Sequence, residues 1–359
     1  ARCAPRTPRP TSAATPHAPR SALHVSATTV SATARARAAA LADEVASCAA
    51  EDLARIRDAE RAHGEPPLGG DAPLVDPHAH FWHPDTPRAD WRAVNAARLR
   101  AGERMGIDWH VASILGSWGA SSPTYFASPA DVSLANTVML ALQRALPDRV
   151  RTWVHVNPNF PAHAEDEIRR AHDEGAVGIK LSASRRADDR RVLDPVGALA
   201  AELDLPVLHH VWQWRRRDWP MQEASDGEEL ATLARAHPRA RFLLAHIGGG
   251  GEWAHTHHAV RDVPNVWVDT SGSGIDRGML DDALAALGPR RVVWAADVTL
   301  CTALTKLLAL EVIGLDAEAM ADVRWRNAVR LFTAGAFVGL PGVDGTGHAA
   351  RDPSVRREA

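Results

Sequence analysis

The sequence predicts an α/β protein, a (β/α)8 TIM barrel with an N-terminal helical extension and disordered termini. Three observations carry that prediction: eight short apolar runs, helix-compatible stretches between most of them, and no glycine fingerprint after the first run. Apolar runs alternating with helical periodicity imply parallel βαβ units, and eight units close into a barrel whose active site lies at the C-terminal ends of the strands. An open doubly wound sheet would instead place a glycine-rich turn after its first strand.

The elements follow in order. Residues 1–37 are rich in Ala, Arg, Pro, Ser and Thr, with no acid before Asp43, a composition that cannot bury enough apolar surface to order itself. An organellar transit peptide shares the Arg-rich look, but the Ala/Arg bias runs through the whole chain, and a disordered tail is the reading here. Residues 38–70 form a helical extension and linker, because Leu41, Val45, Leu53 and Ile56 recur at helical spacing until Gly64-Glu65-Pro66-Pro67 stops the helix. That helix packs on the outside of the barrel or on a partner subunit, which leaves a homodimer open.

The catalytic domain spans 71–338. Its strands are expected at Leu74 to His80, His110 to Leu115, Arg151 to Val156, Val177 to Leu181, Pro206 to Val211, Arg241 to His246, Val266 to Thr270 and Arg291 to Ala296. Helical stretches between them include Trp91 to Met105, Ser133 to Leu146, Ala162 to Glu174, Glu228 to Ala236 and Met279 to Leu287. A helix-rich segment follows the eighth strand, and 339–359 reads as a second disordered tail.

Bulk properties exclude several function classes. A chain of 359 residues with 45% hydrophobic content can hold one large domain, since a barrel of ~250 residues leaves room for extensions. A net charge of -3 and a pI near 6.7 give no electrostatic footprint for nucleic acid or an acidic membrane, so a small-molecule substrate is the default partner. Three scattered cysteines support neither a disulfide framework nor a CxxC metal knuckle, and a reducing cytoplasmic location fits. No apolar run approaches the ~20 residues that span a bilayer.

The sharpest local signal is Asp76-Pro77-His78-Ala79-His80 at the end of the first run. Side chains at i and i+2 of a strand share a face, so His78 and His80 can present two imidazoles to one cation. Strand five ends in His209-His210, strand six in Ala245-His246 followed by four glycines, and strand eight in Ala296-Asp297. Imidazole and carboxylate donors suit a borderline-soft ion such as Zn²⁺, and three or four of them with an open position make a catalytic site. Two further features lie near this end. Only Lys180 and Lys306 are lysines among 41 basic residues, so a lysine at strand four invites a specific role. Trp82, Trp212 and Arg215 flank the histidines as candidate substrate contacts, through aromatic stacking and a bidentate carboxylate fork. Packing tryptophans and a solvated arginine loop would explain the same residues.

These motifs, with Gly178-Ile179-Lys180-Leu181 and Asn327-Ala328-Val329-Arg330-Leu331-Phe332, resemble the amidohydrolase-related family of metal-dependent hydrolases and decarboxylases from about Leu74 to Phe332. The resemblance implies metal ligation by His78, His80, His210 and Asp297, with His246 activating or orienting water. His210 is preferred to His209 because the family places its ligand four residues after the proline, here Pro206. The sequence departs from the family at strand eight, where Ala295-Ala296-Asp297-Val298-Thr299 replaces Gly-Ser-Asp, an aromatic residue and a proline. The substrate loop after that strand is therefore not carried over.

One divalent ion, zinc first, would lower the pKa of bound water from ~15.7 to about 7 and polarise a carbonyl. Asp297 would take or relay a proton, and His246 would act as second acid/base or oxyanion stabiliser. Hydrolysis of an amide, lactone or other ester of a carboxylate-bearing molecule is the leading expectation. Non-oxidative decarboxylation of an aromatic or related acid comes second, and a catalytically silent ligand-binding barrel third. Lys180 is expected to contact substrate at a single-metal site, although some relatives in the wider superfamily use a carboxylated lysine at this strand to bridge two metals.

Overall fold

A computed structural model describes residues 30–344, apart from 87, 115–126, 182–184, 211–224, 248–252, 273–277 and 298–302. Eight parallel strands lie in sequence order: β1 (Val75–His80), β2 (Trp109–Ser113), β3 (Val150–Val156), β4 (Gly178–Leu181), β5 (Val207–His209), β6 (Phe242–Leu244), β7 (Val266–Asp269) and β8 (Val292–Val293). The chain beyond β8 closes the ring, with an Ala79–Asp297 bridge and the Asp297 amide donating to the His78 carbonyl at 2.7 Å. The expected (β/α)8 barrel is the fold.

Helices α1 (Ala32–His63), α2 (Trp91–Met105), α3 (Pro129–Ala145), α4 (Pro161–Asp173), α5 (Arg190–Glu202), α6 (Gly227–Ala236), α7 (Trp253–Val260) and α8 (Met279–Leu287) surround the strands, and α9 (Ala303–Ile313), α10 (Ala317–Ala321) and α11 (Asn327–Leu331) complete the chain's outer layer. Helix α1 starts six residues before the expected boundary at 38. Ser31 explains the start, because its hydroxyl accepts from the Ala34 amide, and Gly64 at φ 72° ends the helix. Its buried Ala38, Ala42, Val45, Ala49, Leu53 and Ile56 form one stripe that packs on α2 and α3, on the barrel's outside.

At the other end, the expected tail from 339 needs correction. Leu340 is buried with Trp325, Phe332 and Phe337 against the bottom of the barrel, so ordered packing extends past Val338. Residues 1–29 and 345–359, which include the remainder of both expected tails, lie outside the described residues. Among the described residues no helix is long and apolar enough to cross a membrane.

Strand alternation divides the core. Val111, Trp153, Leu208, Leu243 and Val293 fill the barrel's interior, while Val154, Ile179, Leu181, Val207, Phe242 and Leu244 face the helices. Trp153 leaves no room for a side chain on β4 beside it: a Cβ on Gly178 would fall 2.1 Å from its ring. The apolar interior ends one layer below the C-terminal mouth, where the inward positions become polar.

Candidate metal centre

Parity decides which polar side chains enter the mouth. Lys180 lies between outward-facing Ile179 and Leu181, so it points inward. On β5, outward Val207 and inward Leu208 turn His209 toward the helices and His210 toward the interior. The β1 pair needs an extra device. Val75 joins the interior cluster and Ala79 the outer one, although strict alternation would put both on one face. The register slips between Asp76 and Ala79, and this irregularity turns His78 and His80 inward together. His246, two residues beyond outward Leu244, is likewise redirected by a left-handed backbone at φ 65°.

His78, His80 and Asp297 each offer a ligand atom, and these atoms all lie within 4.8 Å of one another. His78 Nε2 is 3.7 Å and His80 Nε2 3.4 Å from Asp297 Oδ1. Each histidine's other nitrogen faces an acceptor. His78 Nδ1 donates to Asp269 Oδ2 at 2.8 Å, and His80 Nδ1 donates to the Ser113 carbonyl at 3.1 Å. With their protons so placed, both imidazoles direct an Nε2 lone pair toward an ionised carboxylate. Converging acceptors of this kind repel one another unless a cation stands among them, and an N,N,O set suits a divalent transition metal.

Burial sets the protonation states. It pushes His80 and His246 down to about 4, against the opposing pull of Asp297, so both rings are neutral near pH 7. His210 is pushed well below its usual value by burial and by neighbouring His246 and Lys180. Burial would raise Asp297, but the surrounding imidazoles hold it well below the usual carboxylate range. Asp269 is also opposed by burial, yet its contacts with His78 and Ser271 hold it down at about 2.

The remaining predicted site residues fall as follows. Lys180 is fully buried, and its Nζ donates to His78 Nε2 at 2.9 Å. That lone pair cannot serve the amine and a metal together, so ligation by His78 requires the Lys180 side chain to turn aside. Burial lowers its pKa to about 8 despite Asp297 and Asp269. His210 stands one ring away from the three-ligand cluster: its Nδ1 is 3.1 Å from His246 Nε2. His246 Nδ1 faces Ser271 Oγ at 3.0 Å and Asp297 Oδ2 at 3.4 Å. Trp82 occupies a packing position, 3% exposed, with Asn95 bonding its backbone and Arg88 over its ring at 5.1 Å. Trp212 and Arg215 lie outside the described residues.

Sequence reasoning missed four residues here. Asp269 and Ser271 follow inward Trp267 on the seventh strand, and the polar Asp269-Thr270-Ser271 end of an apolar run was the available signal. Asp76 accepts from the His78 and Ala296 amides at 3.2 and 2.9 Å. Arg98 on α2 pairs with Asp76 and donates to the Asp297 carbonyl. Nothing in the local sequence marks that arginine.

Fold and site define a barrel protein with a candidate metal centre at its C-terminal mouth. The chain belongs to the amidohydrolase family, whose model matches residues 75–333. No curated protein matches it. Solved structures do. A 2,6-dihydroxybenzoate decarboxylase in complex with 2,6-dihydroxybenzoate aligns at TM-score 0.56 and 16% identity, over 72% of this chain and 98% of that one. The 5-carboxyvanillate decarboxylase of Sphingomonas paucimobilis aligns at TM-score 0.54 and 19% identity, over 73% and 98%. A dihydroxybenzoic acid decarboxylase of Polaromonas, with bound manganese and the inhibitor 2-nitroresorcinol, aligns at TM-score 0.55 and 17% identity, over 73% and 97%. At these identities the likeness establishes the fold.

Proposed function

We propose that this protein is a metal-dependent, non-oxidative decarboxylase of an aromatic or related carboxylic acid. The observation that carries the reading is the position of Asp297. One oxygen is 3.4 Å from His80 Nε2 and the other 3.4 Å from His246 Nδ1, which joins a metal-ligand position to a second proton-bearing group. Replacement of a carboxylate by hydrogen breaks a C–C bond, releases CO2 and requires one proton from solvent at the vacated carbon. Asp297 is placed to pass that proton, with His246 Nδ1 beside it.

The metal, when bound, supplies positive charge to substrate oxygens and draws electron density from the breaking bond. His78, His80 and Asp297 would hold it, with inward-facing His210 as a fourth ligand. Lys180, turned from His78, offers an ammonium for the substrate's carboxylate or phenolate. Zinc remains the first candidate and manganese the second, the latter supported by the Polaromonas protein.

This order reverses the sequence expectation, in which hydrolysis came first. The decarboxylase relatives that share the fold along nearly their whole length support the change. Metal-loaded protein should be incubated with a panel of hydroxybenzoates, lactones and amides, with CO2 and acid release followed in parallel. CO2 from a hydroxybenzoate with no turnover of lactones or amides is expected; acid release from a lactone or amide without CO2 would restore the hydrolytic reading.

A further inference from the structure

We propose that Asp269 sets the tautomers of three histidines at once, His78 directly and His246 and His210 through Ser271. The inference deepens the metal-centre reading and rests on it for its functional meaning. The hydrogen-bond pattern itself stands independently.

Asp269 is fully buried, and the protons around it can be assigned one by one. Ser271 Oγ lies in hydrogen-bond contact with Asp269 Oδ1, and only the hydroxyl can supply the proton there. The same Asp269 oxygen accepts from the backbone amides of Ser271 at 2.9 Å and His246 at 3.0 Å, which fixes the carboxylate against both residues. With its single proton committed, Ser271 Oγ is an acceptor for everything else. It lies 3.1 Å from His78 Nδ1 and 3.0 Å from His246 Nδ1, so each of those nitrogens carries a hydrogen. For His78 the assignment is fixed twice, because Nδ1 also faces Asp269 Oδ2 at 2.8 Å while Nε2 accepts from Lys180 Nζ at 2.9 Å.

The order then propagates by one ring. His246 with its hydrogen on Nδ1 has its lone pair on Nε2, which lies 3.1 Å from His210 Nδ1. His210 must therefore donate from Nδ1, and its lone pair falls on Nε2. One carboxylate thus directs the ligating nitrogen of His78 and of His210 without touching the metal position. Carboxylate partners of this type typically change metal affinity by about 10–100-fold.

The test uses the full chain, metal-free, with ¹⁵N-labelled histidine, the signals of His78, His210 and His246 being assigned by single substitutions. All three should show the Nδ1–H tautomer. Asp269→Asn, whose amide can donate to Nδ1, should move His78 away from that form. Ser271→Ala should leave His78 unchanged and lose the fixed tautomer of His246 and His210. In chelator competition with Zn²⁺, Asp269→Asn should bind at least about tenfold more weakly, and Ser271→Ala should lose less. An unchanged His78 in Asp269→Asn, or unchanged His246 and His210 in Ser271→Ala, would overturn the proposal. If Asp269→Asn fails to fold, Ser271→Ala and the wild-type tautomers decide it. A wild-type chain that binds no Zn²⁺ or Mn²⁺ would defeat the metal reading, while the tautomer measurement would still decide the role of Asp269.

Discussion

Arg98 and Asp76 form an ion pair at 3.1 Å with side chains only 1% and 0% exposed, and it spans the seam where the barrel closes. Asp76 holds the amides of His78 on β1 and Ala296 beyond β8, while Arg98 reaches the carbonyl of Asp297. The pair therefore fixes two candidate metal ligands from opposite sides of the seam. Asp297 needs such support, because its φ of 61° is unfavourable for a residue with a Cβ.

Removing one partner of a buried pair leaves the other charge uncompensated. Arg98→Leu should cost about 3–5 kcal/mol in urea unfolding. Adding Asp76→Asn should recover part of that loss, since the stranded charge is gone. A loss below ~1 kcal/mol in the single variant would show that the seam closes without this pair.

The two strand-five histidines should separate cleanly. His210→Ala is expected to lower Zn²⁺ affinity by at least tenfold in chelator competition, whereas His209→Ala, whose ring faces the helix layer, should change it by less than about twofold. The reverse pattern would mean that the inward residue has been misassigned.

Lys180 Nζ competes with a metal for His78 Nε2. Lys180→Met should therefore retain metal or bind it more tightly, and lose at least ~10-fold in kcat/KM through the missing substrate contact. Loss of metal in that variant would assign the lysine to the metal centre itself.

Much of this was legible in the sequence, for physical reasons that differ by residue. His78, His80 and Asp297 sit where apolar runs close, and the i, i+2 spacing that puts His78 and His80 on one face is a local signal. The boundaries of α2 and α8 could be read in the same way. Pro195 inside α5 and three histidines within α7 hide those helices from a periodicity argument. The partnership of His78 with Asp269 joins positions 191 residues apart, and the inward turn of the β1 histidines depends on a register slip that alternation alone does not contain. Arg98 belongs to the same category, because its role exists only once α2 lies over the seam.

Acid should destabilise the fold over a defined range. Burial pushes His209 down to about 4 and His155 to about 3, so the folded chain resists protons that the unfolded chain accepts near 6.5. Well above pH 6.5 both groups are neutral in both states, and neither costs stability. Below it, the unfolded state binds more protons, and each histidine contributes a loss of up to ~1.4 kcal/mol per pH unit until its folded pKa is reached. The urea midpoint should fall steadily from pH 6.5 toward 4, and His209→Leu should flatten that slope. An unchanged slope in the variant would remove His209 as a cause.

Metal counting by mass spectrometry tests the centre most directly, after incubation with Zn²⁺ or Mn²⁺ and desalting. About one ion per chain is expected for the wild type and essentially none for His78→Ala, with CO2-forming activity lost in step. Full metal occupancy in His78→Ala would contradict the assignment of the centre to His78, His80 and Asp297, and about two ions per chain with added CO2 mass on Lys180 would contradict the single-metal site.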